Sequence, residues 1–296
     1  MNGGVFLRFA RLIFLISALA LILCACAAVK PSDLPDTTDT TVESSASDTE
    51  PLPDISDSWN KSDYPALIAH AGGAIYGYRL SNSLEAIENA YANGFRLIEL
   101  DFQITSDQKY VLLHDWESMA ERMLFSQGQR TREEFLAADT FAGLTLLDLD
   151  MLVTWLEAHP DCRIVTDAKC ENLPFLEHLS SLAIKDRFIP QTYSYEEYKS
   201  AKELGFNDVI LTLYAMNSPV HEVVSFIHEE KPFALTIPEA VLNEELLTRV
   251  ADVGVVVYTH TVNDLSIFEK WKKFGLHGIY TDYFIPSEWV YKKTTA

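Results

Sequence analysis

The chain has 296 residues, of which 48% are hydrophobic and 11% aromatic, and its formal net charge at pH 7 is −20. A chain of this length and composition can bury one large core or two small ones, so it is globular. Its negative field argues against wholesale binding to nucleic acid or to bare anionic lipid, and an anionic ligand therefore needs a local positive site.

Residues 1–25 have the layout of an export signal. Arg8 and Arg11 precede an almost wholly apolar run over residues 12–29 that ends in small residues. The run 23–26 resembles a bacterial lipoprotein cleavage box, in which Cys26 becomes the lipidated N-terminus. An uncleaved membrane anchor is the alternative, since the apolar run is long enough to span a bilayer core. Either interpretation predicts an extracytoplasmic protein anchored to the bacterial cell membrane.

Residues 26–63 are predicted to form a flexible linker. The stretch from Lys30 to Asp63 is rich in Ser, Thr, Asp and Pro, and it contains nine acidic and two basic residues. It has too few apolar side chains to offset the entropy lost on ordering. Globular sequence therefore begins near Tyr64.

Residues 64–296 are predicted to fold as a TIM (β/α)8 barrel, because short apolar runs alternate with segments of helical periodicity. Eight strands are predicted, over residues 66–71, 97–103, 163–169, 188–193, 208–213, 233–237, 255–258 and 278–281. The helices predicted between them cover residues 83–93, 147–159, 195–204, 219–230, 243–251 and 265–274. Gly94, Gly205 and Gly275 follow three of these helices, where a left-handed cap is expected.

Two acidic residues interrupt the apolar run of the second predicted strand. Glu99 and Asp101 are two positions apart, so their side chains share one face of the strand. Burying both charges costs several kcal/mol each unless a cation compensates, and a metal ion is the simplest cation. A turn at residues 106–108 then brings residues 110–114 back beside this strand, with His114 near the acids. The alternative is an acidic strand end that faces solvent, followed by a surface histidine.

Other polar residues also fall at the predicted carboxyl ends of strands, where the chemistry of a TIM barrel takes place. Asp167 and Lys169 repeat the two-residue spacing within an otherwise apolar strand, although a structural ion pair would give the same pattern. Three acids, two histidines and a lysine at one barrel rim are difficult to explain as solvated surface. The full set at this rim is His70, Glu99, Asp101, His114, Asp167, Lys169, Gln191, Thr281 and Asp282.

The order and spacing of several motifs resemble the glycerophosphodiester phosphodiesterase family over residues 65–286. The motifs are His70-Ala71-Gly72-Gly73, Asn82-Ser83-Leu84-Glu85-Ala86, Ile98-Glu99-Leu100-Asp101, Leu113-His114-Asp115, Thr261-Val262-Asn263 and Thr281-Asp282. This resemblance implies a catalytic acid/base pair formed by His70 and His114. It also implies a metal site formed by Glu99, Asp101 and Asp167, with Lys169 on the phosphate.

Three positions depart from the family pattern. Ala71 stands where the family usually has an arginine that would bind the phosphate, and Asp167 stands where the third ligand is usually Glu. His260 replaces a tryptophan before Thr-Val-Asn. We include His260 and Gln191 as candidate substrate-binding residues, with a structural role for Gln191 as the alternative. The Asp-x-Lys pairing is similar to the sphingomyelinase D branch of the same superfamily.

The predicted chemistry is hydrolysis of a small-molecule phosphodiester or phospholipid fragment. An all-oxygen ligand set favours one divalent cation, Mg²⁺ or Ca²⁺. One histidine would accept a proton from the attacking hydroxyl and the other would protonate the leaving alkoxide. Two alternatives stay open at this point: a sphingomyelinase D-like or lysophospholipase D-like lipid phosphodiesterase, and a barrel that binds a polyol phosphate without catalysis.

Cys162 and Cys170 flank the third predicted strand. Seven extended residues between them would separate their Cα atoms by about 26 Å, far beyond the ~7 Å that a disulfide allows. Both are therefore predicted to be free thiols, buried or nearly so.

Overall fold

A computed structural model describes residues 64–214, 216 and 218–289 of the chain. The predicted signal segment, Cys26 and the predicted linker lie outside the described residues. Of the helices in the described part, none has the length and apolar character needed to cross a membrane.

Eight parallel strands close into a barrel, which confirms the predicted TIM fold. Around the barrel the order is β1-β2-β4-β5-β6-β7-β8-β9, and β9 pairs with β1 to complete the closure. β3 pairs antiparallel with the end of β2, as the predicted hairpin requires. The strands are β1 Leu67–Ala69, β2 Leu97–Ile104, β3 Tyr110–Leu112, β4 Arg163–Ala168, β5 Phe188–Thr192, β6 Ile210–Thr212, β7 Ala234–Pro238, β8 Val256–His260 and β9 Gly278–Thr281.

Helices cover the outside of the barrel. Several begin at a side-chain cap that the sequence supplies; for example, Ser83 Oγ accepts a hydrogen bond from Ala86 N at 3.3 Å. The helices are α1 Leu84–Ala92, α2 Ser118–Leu124, α3 Arg132–Leu136, α4 Leu149–Ala158, α5 Asn172–Ser180, α6 Tyr195–Glu203, α7 Val220–Glu230, α8 Glu244–Val253, α9 Leu265–Trp271 and α10 Pro286–Trp289.

The alternation of side chains along β2 separates two cores. Ile98, Leu100 and Phe102 pack outward against the helices, whereas Leu97 packs inside the barrel. Glu99 and Asp101, the residues between them, therefore also face inward. This arrangement brings charged side chains into the barrel above its apolar floor.

The first strand is shorter than predicted. Residues 66–71 were expected to be extended, but β1 ends at Ala69 and a 3₁₀ turn occupies His70–Gly72. Ala71 has a φ of 48° and Gly72 a φ of 81°, and these left-handed conformations end the strand. The predicted caps at Gly94, Gly205 and Gly275 are confirmed, since all three have positive φ.

A small helical insertion lies between β3 and α4 and was not predicted. It contains α2, α3 and a 3₁₀ turn at Phe141–Gly143, and it has its own apolar core. Trp116, Met119 and Phe135 are among the buried side chains of this core. The insertion follows directly after His114, so it forms one side of the barrel rim.

The two cysteines of the described part are free thiols, as predicted. Cys162 is buried, and Cys170 is half-buried. Burial raises the pKa of the Cys162 thiol to about 12, which keeps it protonated and unreactive at neutral pH.

Candidate active site

Three carboxylates meet inside the carboxyl end of the barrel. Glu99 and Asp101 come from β2, and Asp167 comes from β4, where it is the register partner of Asp101. One ligand oxygen from each residue lies within 4.8 Å of the others. Parallel pairing in register is what brings acids from two separate parts of the sequence to one point.

Glu99 is the most deeply buried member of this cluster. Glu99 is 1% exposed, and its Oε2 accepts a 2.8 Å hydrogen bond from Ala71 N. Its other oxygen, Oε1, is buried without a hydrogen-bond partner among the described residues. Burial, reinforced by the charges of Asp101 and Asp167, raises the pKa of Glu99 to about 8. A carboxylate in this environment needs a cation to stay ionised at neutral pH.

Asn82 holds the Asp101 side chain in place. Asn82 Nδ2 donates to Asp101 Oδ2 at 2.9 Å, and Asp101 N donates to Asn82 Oδ1 at 3.0 Å. Asn82 is fully buried and has a φ of 50°, a conformation that asparagine tolerates better than most residues. This reciprocal pair orients the remaining oxygen of Asp101 toward the cluster.

Lys169 and Tyr193 bind the third carboxylate. Lys169 Nζ lies 2.9 Å from Asp167 Oδ2 and 3.3 Å from Asp101 Oδ1. Burial disfavours the charged lysine, but the two aspartates outweigh burial and raise its pKa. The Tyr193 hydroxyl donates to Asp167 Oδ1, and burial together with Asp167 raises the tyrosine's pKa well above its usual value. Tyr193 therefore remains a hydrogen-bond donor.

His70 forms a carboxylate–histidine pair with Asp282. His70 Nδ1 lies 2.8 Å from Asp282 Oδ1, and Asn263 Nδ2 donates to the other oxygen of Asp282 at 2.6 Å. Burial opposes protonation of His70, but the hydrogen bond to Asp282 and the charge of Glu99 raise its pKa to about 9. Because Nδ1 is engaged by Asp282, Nε2 is the ring nitrogen that can contact a bound molecule.

His114 forms a second pair of the same kind. Its Nδ1 lies 2.8 Å from Asp115 Oδ2, and Asp115 Oδ1 accepts a 2.9 Å hydrogen bond from Met119 N at the start of α2. The residue before it, Leu113, donates its backbone N–H to Asp101 O at 3.1 Å. The hairpin therefore brings His114 to the same rim as the acids, on the side of the helical insertion.

A cavity of about 50 Å³ lies above the cluster. Gln191 and His260, the two candidate substrate-binding residues, both belong to its wall. The described residues that line the cavity are His70, Glu99, Asp167, Lys169, Gln191, Tyr193, Thr212, Tyr214, His260 and Tyr280. His114 is not among them.

Gln191 and His260 differ in their hydrogen bonds. Gln191 Oε1 accepts from the Thr212 and Tyr280 hydroxyls at 3.3 and 3.1 Å, which fixes the amide in the cavity wall. His260 Nε2 is buried without a partner among the described residues, and its ring stacks on Tyr214 with 5.1 Å between centroids. Burial lowers the pKa of His260 to about 4, so the ring is neutral at neutral pH.

The cluster fits a divalent metal ion. Its donor set is three carboxylates, its ligand atoms are close enough for one ion to reach, and Glu99 Oε1 lacks any other partner among the residues described. Oxygen ligands suit hard cations such as Mg²⁺ and Ca²⁺. The three carboxylates carry three negative charges, and Lys169 adds one positive charge beside them. Two negative charges therefore remain uncompensated. This deficit matches the charge of the proposed ions.

Several residues that shape the site have roles that sequence reasoning did not find. Asp282, Asn263 and Asn82 stand within recognised motifs, but nothing local in the sequence indicates which side chain each one contacts. Tyr193 ends a predicted strand, and this position is the sequence feature that could have indicated a role in the site. A further residue, Arg79, follows β1 in a loop, and its Nη1 lies 3.7 Å from Asp282 Oδ2.

Comparison with known proteins gives a consistent result. A sequence model of the glycerophosphoryl diester phosphodiesterase family matches residues 70–285. A glycerophosphodiester phosphodiesterase from Thermotoga maritima superposes with a TM-score of 0.60 at 22% identity, covering 73% of this chain and 94% of that chain. An Oleispira antarctica phosphodiesterase, solved with the product sn-glycerol-3-phosphate, also has a TM-score of 0.60 at 19% identity, covering 74% and 93%. Both share the fold of this chain.

A curated mouse protein matches over a shorter stretch. Lysophospholipase D GDPD3 from Mus musculus is 47% identical over 49 residues. This match covers 17% of the present chain and 14% of the mouse protein, so it spans a small part of that relative.

Proposed function

Because the chain belongs to the glycerophosphoryl diester phosphodiesterase family, we propose that it is a metal-dependent enzyme that hydrolyses glycerophosphodiesters to an alcohol and glycerol phosphate. Family membership gives the reaction class, a phosphoric diester hydrolase. The observation that carries the finer proposal is the convergence of Glu99, Asp101 and Asp167 beside His70. The Oleispira antarctica relative, which binds sn-glycerol-3-phosphate as its product, supports this substrate class.

Glu99, Asp101 and Asp167 would hold one Mg²⁺ or Ca²⁺ ion. When bound, such an ion would offset the charge of the phosphate and polarise it toward attack. Asn82 and Tyr193 orient two of the three carboxylates, so the ligand geometry exists before the ion arrives.

The two histidines would move the protons of the reaction. One accepts the proton of the glycerol hydroxyl next to the phosphate, whose oxygen then bonds to phosphorus. The other gives a proton to the alkoxide that leaves as the P–O bond breaks. This step yields the free alcohol and a cyclic phosphate. Water then opens the ring, with the histidines in exchanged roles, to give glycerol phosphate. Asp282 and Asp115 hold the imidazoles of His70 and His114 in orientation throughout.

The charges of the site match a phosphodiester. Glu99, Asp101 and Asp167 together contribute −3, while Lys169 and a divalent ion contribute +3. One protonated histidine then makes the site +1, opposite to the single negative charge of the substrate. Lys169 Nζ, at the cavity wall, would also contact the phosphate.

The direct test is phosphorus NMR on a panel of glycerophosphodiesters with and without a chelator. We expect glycerol phosphate to appear over time, turnover to stop when the chelator removes the ion, and Mg²⁺ or Ca²⁺ to restore it. A cyclic phosphate seen early would support attack by the internal hydroxyl. Unchanged turnover after chelation would contradict metal dependence, and metal-dependent binding without product would favour a non-catalytic polyol-phosphate-binding barrel.

A second candidate function is lysophospholipid hydrolysis. The local identity to a mouse lysophospholipase D favours it. The same site would then act on a diester that retains one acyl chain. Release of headgroup from a lysophospholipid at a higher kcat/KM than from the deacylated diester would select this function.

Arg79 is a further candidate for contact with the phosphate. Its side chain is 53% exposed, and its one ion pair within the described residues is the 3.7 Å contact with Asp282. Ala71, at the position where the family resemblance implies an arginine, carries no charge. We expect Arg79→Ala to raise KM about three- to tenfold and to weaken inhibition by glycerol phosphate equally, because a charge-assisted hydrogen bond is lost.

The control for Arg79 is Arg122→Ala, which removes an arginine whose guanidinium lies 5.3 Å from the centre of the Tyr78 ring. Steady-state kinetics and the inhibition constant of glycerol phosphate provide the measurement. An unchanged KM with a lower kcat and a shifted pH profile would show that Arg79 acts through Asp282 and His70 instead.

We also infer that the enzyme is a lipoprotein anchored through Cys26 to the extracytoplasmic face of the bacterial cell membrane. The sequence of residues 1–29 supports this location, and lipid fragments of that membrane would supply the substrate. Nucleic acid is not expected as a partner because of the net charge of −20.

A further inference from the structure

An open groove adjoins the enclosed cavity of the site. Its volume is about 670 Å³, and the described residues that line it are Tyr214, Pro238, Glu239, Ala240, His260 and Thr261. Tyr214 and His260 also belong to the wall of the enclosed cavity. The two spaces therefore lie next to each other, and both border this pair of stacked rings.

The difference in size indicates how a substrate is divided between them. The enclosed cavity of about 50 Å³ has room for only a few water-sized groups. A phosphodiester whose phosphate lies next to Lys169 and the acids must therefore extend one of its alcohols out of this cavity. The groove beyond Tyr214 and His260 adjoins the cavity and is large enough to receive this alcohol.

The groove has the chemistry of a cation site. The Tyr214 side chain is 64% exposed and lies nearly parallel to His260, with an interplanar angle of 18°. The low pKa of His260 leaves that ring neutral, and the exposed carboxylate of Glu239 is the charged group of the lining. None of the described lining residues is lysine or arginine. Aromatic faces beside a carboxylate attract ammonium groups, and quaternary ammonium groups in particular.

We propose that this groove, formed by Tyr214, His260 and Glu239, binds the alcohol of the substrate and selects alcohols that carry an ammonium group, as choline and ethanolamine do. The proposal rests on the proposed function, because it assigns the leaving alcohol of that reaction. A neutral polyol would gain no charge attraction from Glu239 or from the aromatic faces. An anionic alcohol would be repelled by Glu239.

The test compares the full-length protein acting on glycerophosphocholine and on glycerophosphoglycerol, two diesters of the same glycerol phosphate. We expect kcat/KM to be higher for the choline diester. Tyr214→Leu should lower the choline-to-glycerol ratio of kcat/KM about two- to thirtyfold, the range expected for loss of a cation–π contact, mainly through KM. Glu239→Gln should lower the same ratio, and Tyr214→Phe should restore most of it because the ring remains.

The matched control is Tyr76→Leu. Tyr76 is 69% exposed and lines neither the cavity nor the groove, so its replacement should leave the ratio unchanged. Equal losses on both diesters in Tyr214→Leu would mean that Tyr214 only supports His260, and they would overturn the proposal. A wild-type ratio near one would also overturn it.

A binding measurement separates this proposal from the proposed function. Isothermal titration with choline, which contains no phosphate, should show weak binding to the wild-type protein that Tyr214→Leu reduces and Tyr214→Phe retains. If no diester in the panel is hydrolysed but choline still binds in this pattern, the proposed function fails and the groove assignment stands. If diesters are hydrolysed but choline does not bind selectively, the groove assignment fails and the proposed function stands.

Discussion

Replacement of Glu99 by glutamine is expected to lower kcat by at least about a thousandfold, because a lost metal ligand removes several kcal/mol of transition-state stabilisation. Glu99 supplies the one buried oxygen of the cluster that has no other partner among the described residues. A glutamine amide keeps the shape of the side chain but donates poorly to a hard cation. Metal affinity, measured by titration calorimetry, should fall together with kcat.

The same substitution should not unfold the protein. Glu99 is 1% exposed and lies near two other carboxylates, so its charge destabilises the metal-free state. The glutamine carbonyl can still accept the hydrogen bond from Ala71 N. We therefore expect the Tm of the metal-free variant to equal or exceed that of the wild type, even though activity is lost.

The control for Glu99 is Glu222→Gln, since Glu222 is exposed on α7 and is not among the residues that line the cavity or the groove of the site. Its kcat and metal affinity should match the wild type. Retention of activity in Glu99→Gln would refute the metal site, and a large fall in Tm would show that Glu99 has a structural role.

Replacement of His114 by alanine is expected to lower kcat about a hundredfold to ten-thousandfold, the usual contribution of a general acid or base. Its Nδ1 is held by Asp115, so the ring presents Nε2 for proton transfer. His70→Ala should give a loss of the same order. The His114 side chain is exposed at the rim, so His114→Ala should change the free energy of unfolding little. His70→Ala removes the partner of the buried Asp282 carboxylate, so it should also lower the free energy of unfolding.

A substrate with a nitrophenol leaving group assigns the two roles. A nitrophenolate departs without protonation, so loss of the general acid should cost far less on this diester than on a natural one. If one alanine variant loses far less activity on the nitrophenyl diester than on a natural diester, the histidine it lacks is the acid for the leaving group. The other histidine is then the base. Rescue of both variants, or full activity of His114→Ala on natural diesters, would contradict the acid/base pair. His221→Ala, an exposed residue on α7, serves as the control.

The eight strands of the barrel followed from local patterns. Each predicted strand is a short apolar run, and each has a counterpart in the structure, although β1 stops early at the left-handed Ala71. Strand ends were harder to predict, because a change in φ at one residue ends a strand and composition does not report it. The insertion between β3 and α4 was missed, since its short helices α2 and α3 depend on packing against Trp116 and its neighbours.

The electrostatic partners in the site could not be read from the sequence. His70 and Asp282 are 212 residues apart, and they meet only because β9 pairs with β1 to close the barrel. Tyr193 reaches Asp167 across 26 residues, and Arg79 reaches Asp282 from a loop. The two contacts with Asp282 depend on the closure of the barrel, whereas Tyr193 meets Asp167 because β5 pairs with β4.

The sequence by itself determined which residues share a face, because side chains alternate along a strand whatever the rest of the chain does. That rule is enough to bring Glu99 and Asp101 together and to pair Asp167 with Lys169. Only the tertiary structure decided that both pairs reach a common point, that Glu99 Oε1 is left without a partner among the described residues, and that Tyr214 stacks on His260 beside an open groove. Those features arise from the register between strands and from loop packing, which are set by the free energy of the entire barrel rather than by neighbouring residues.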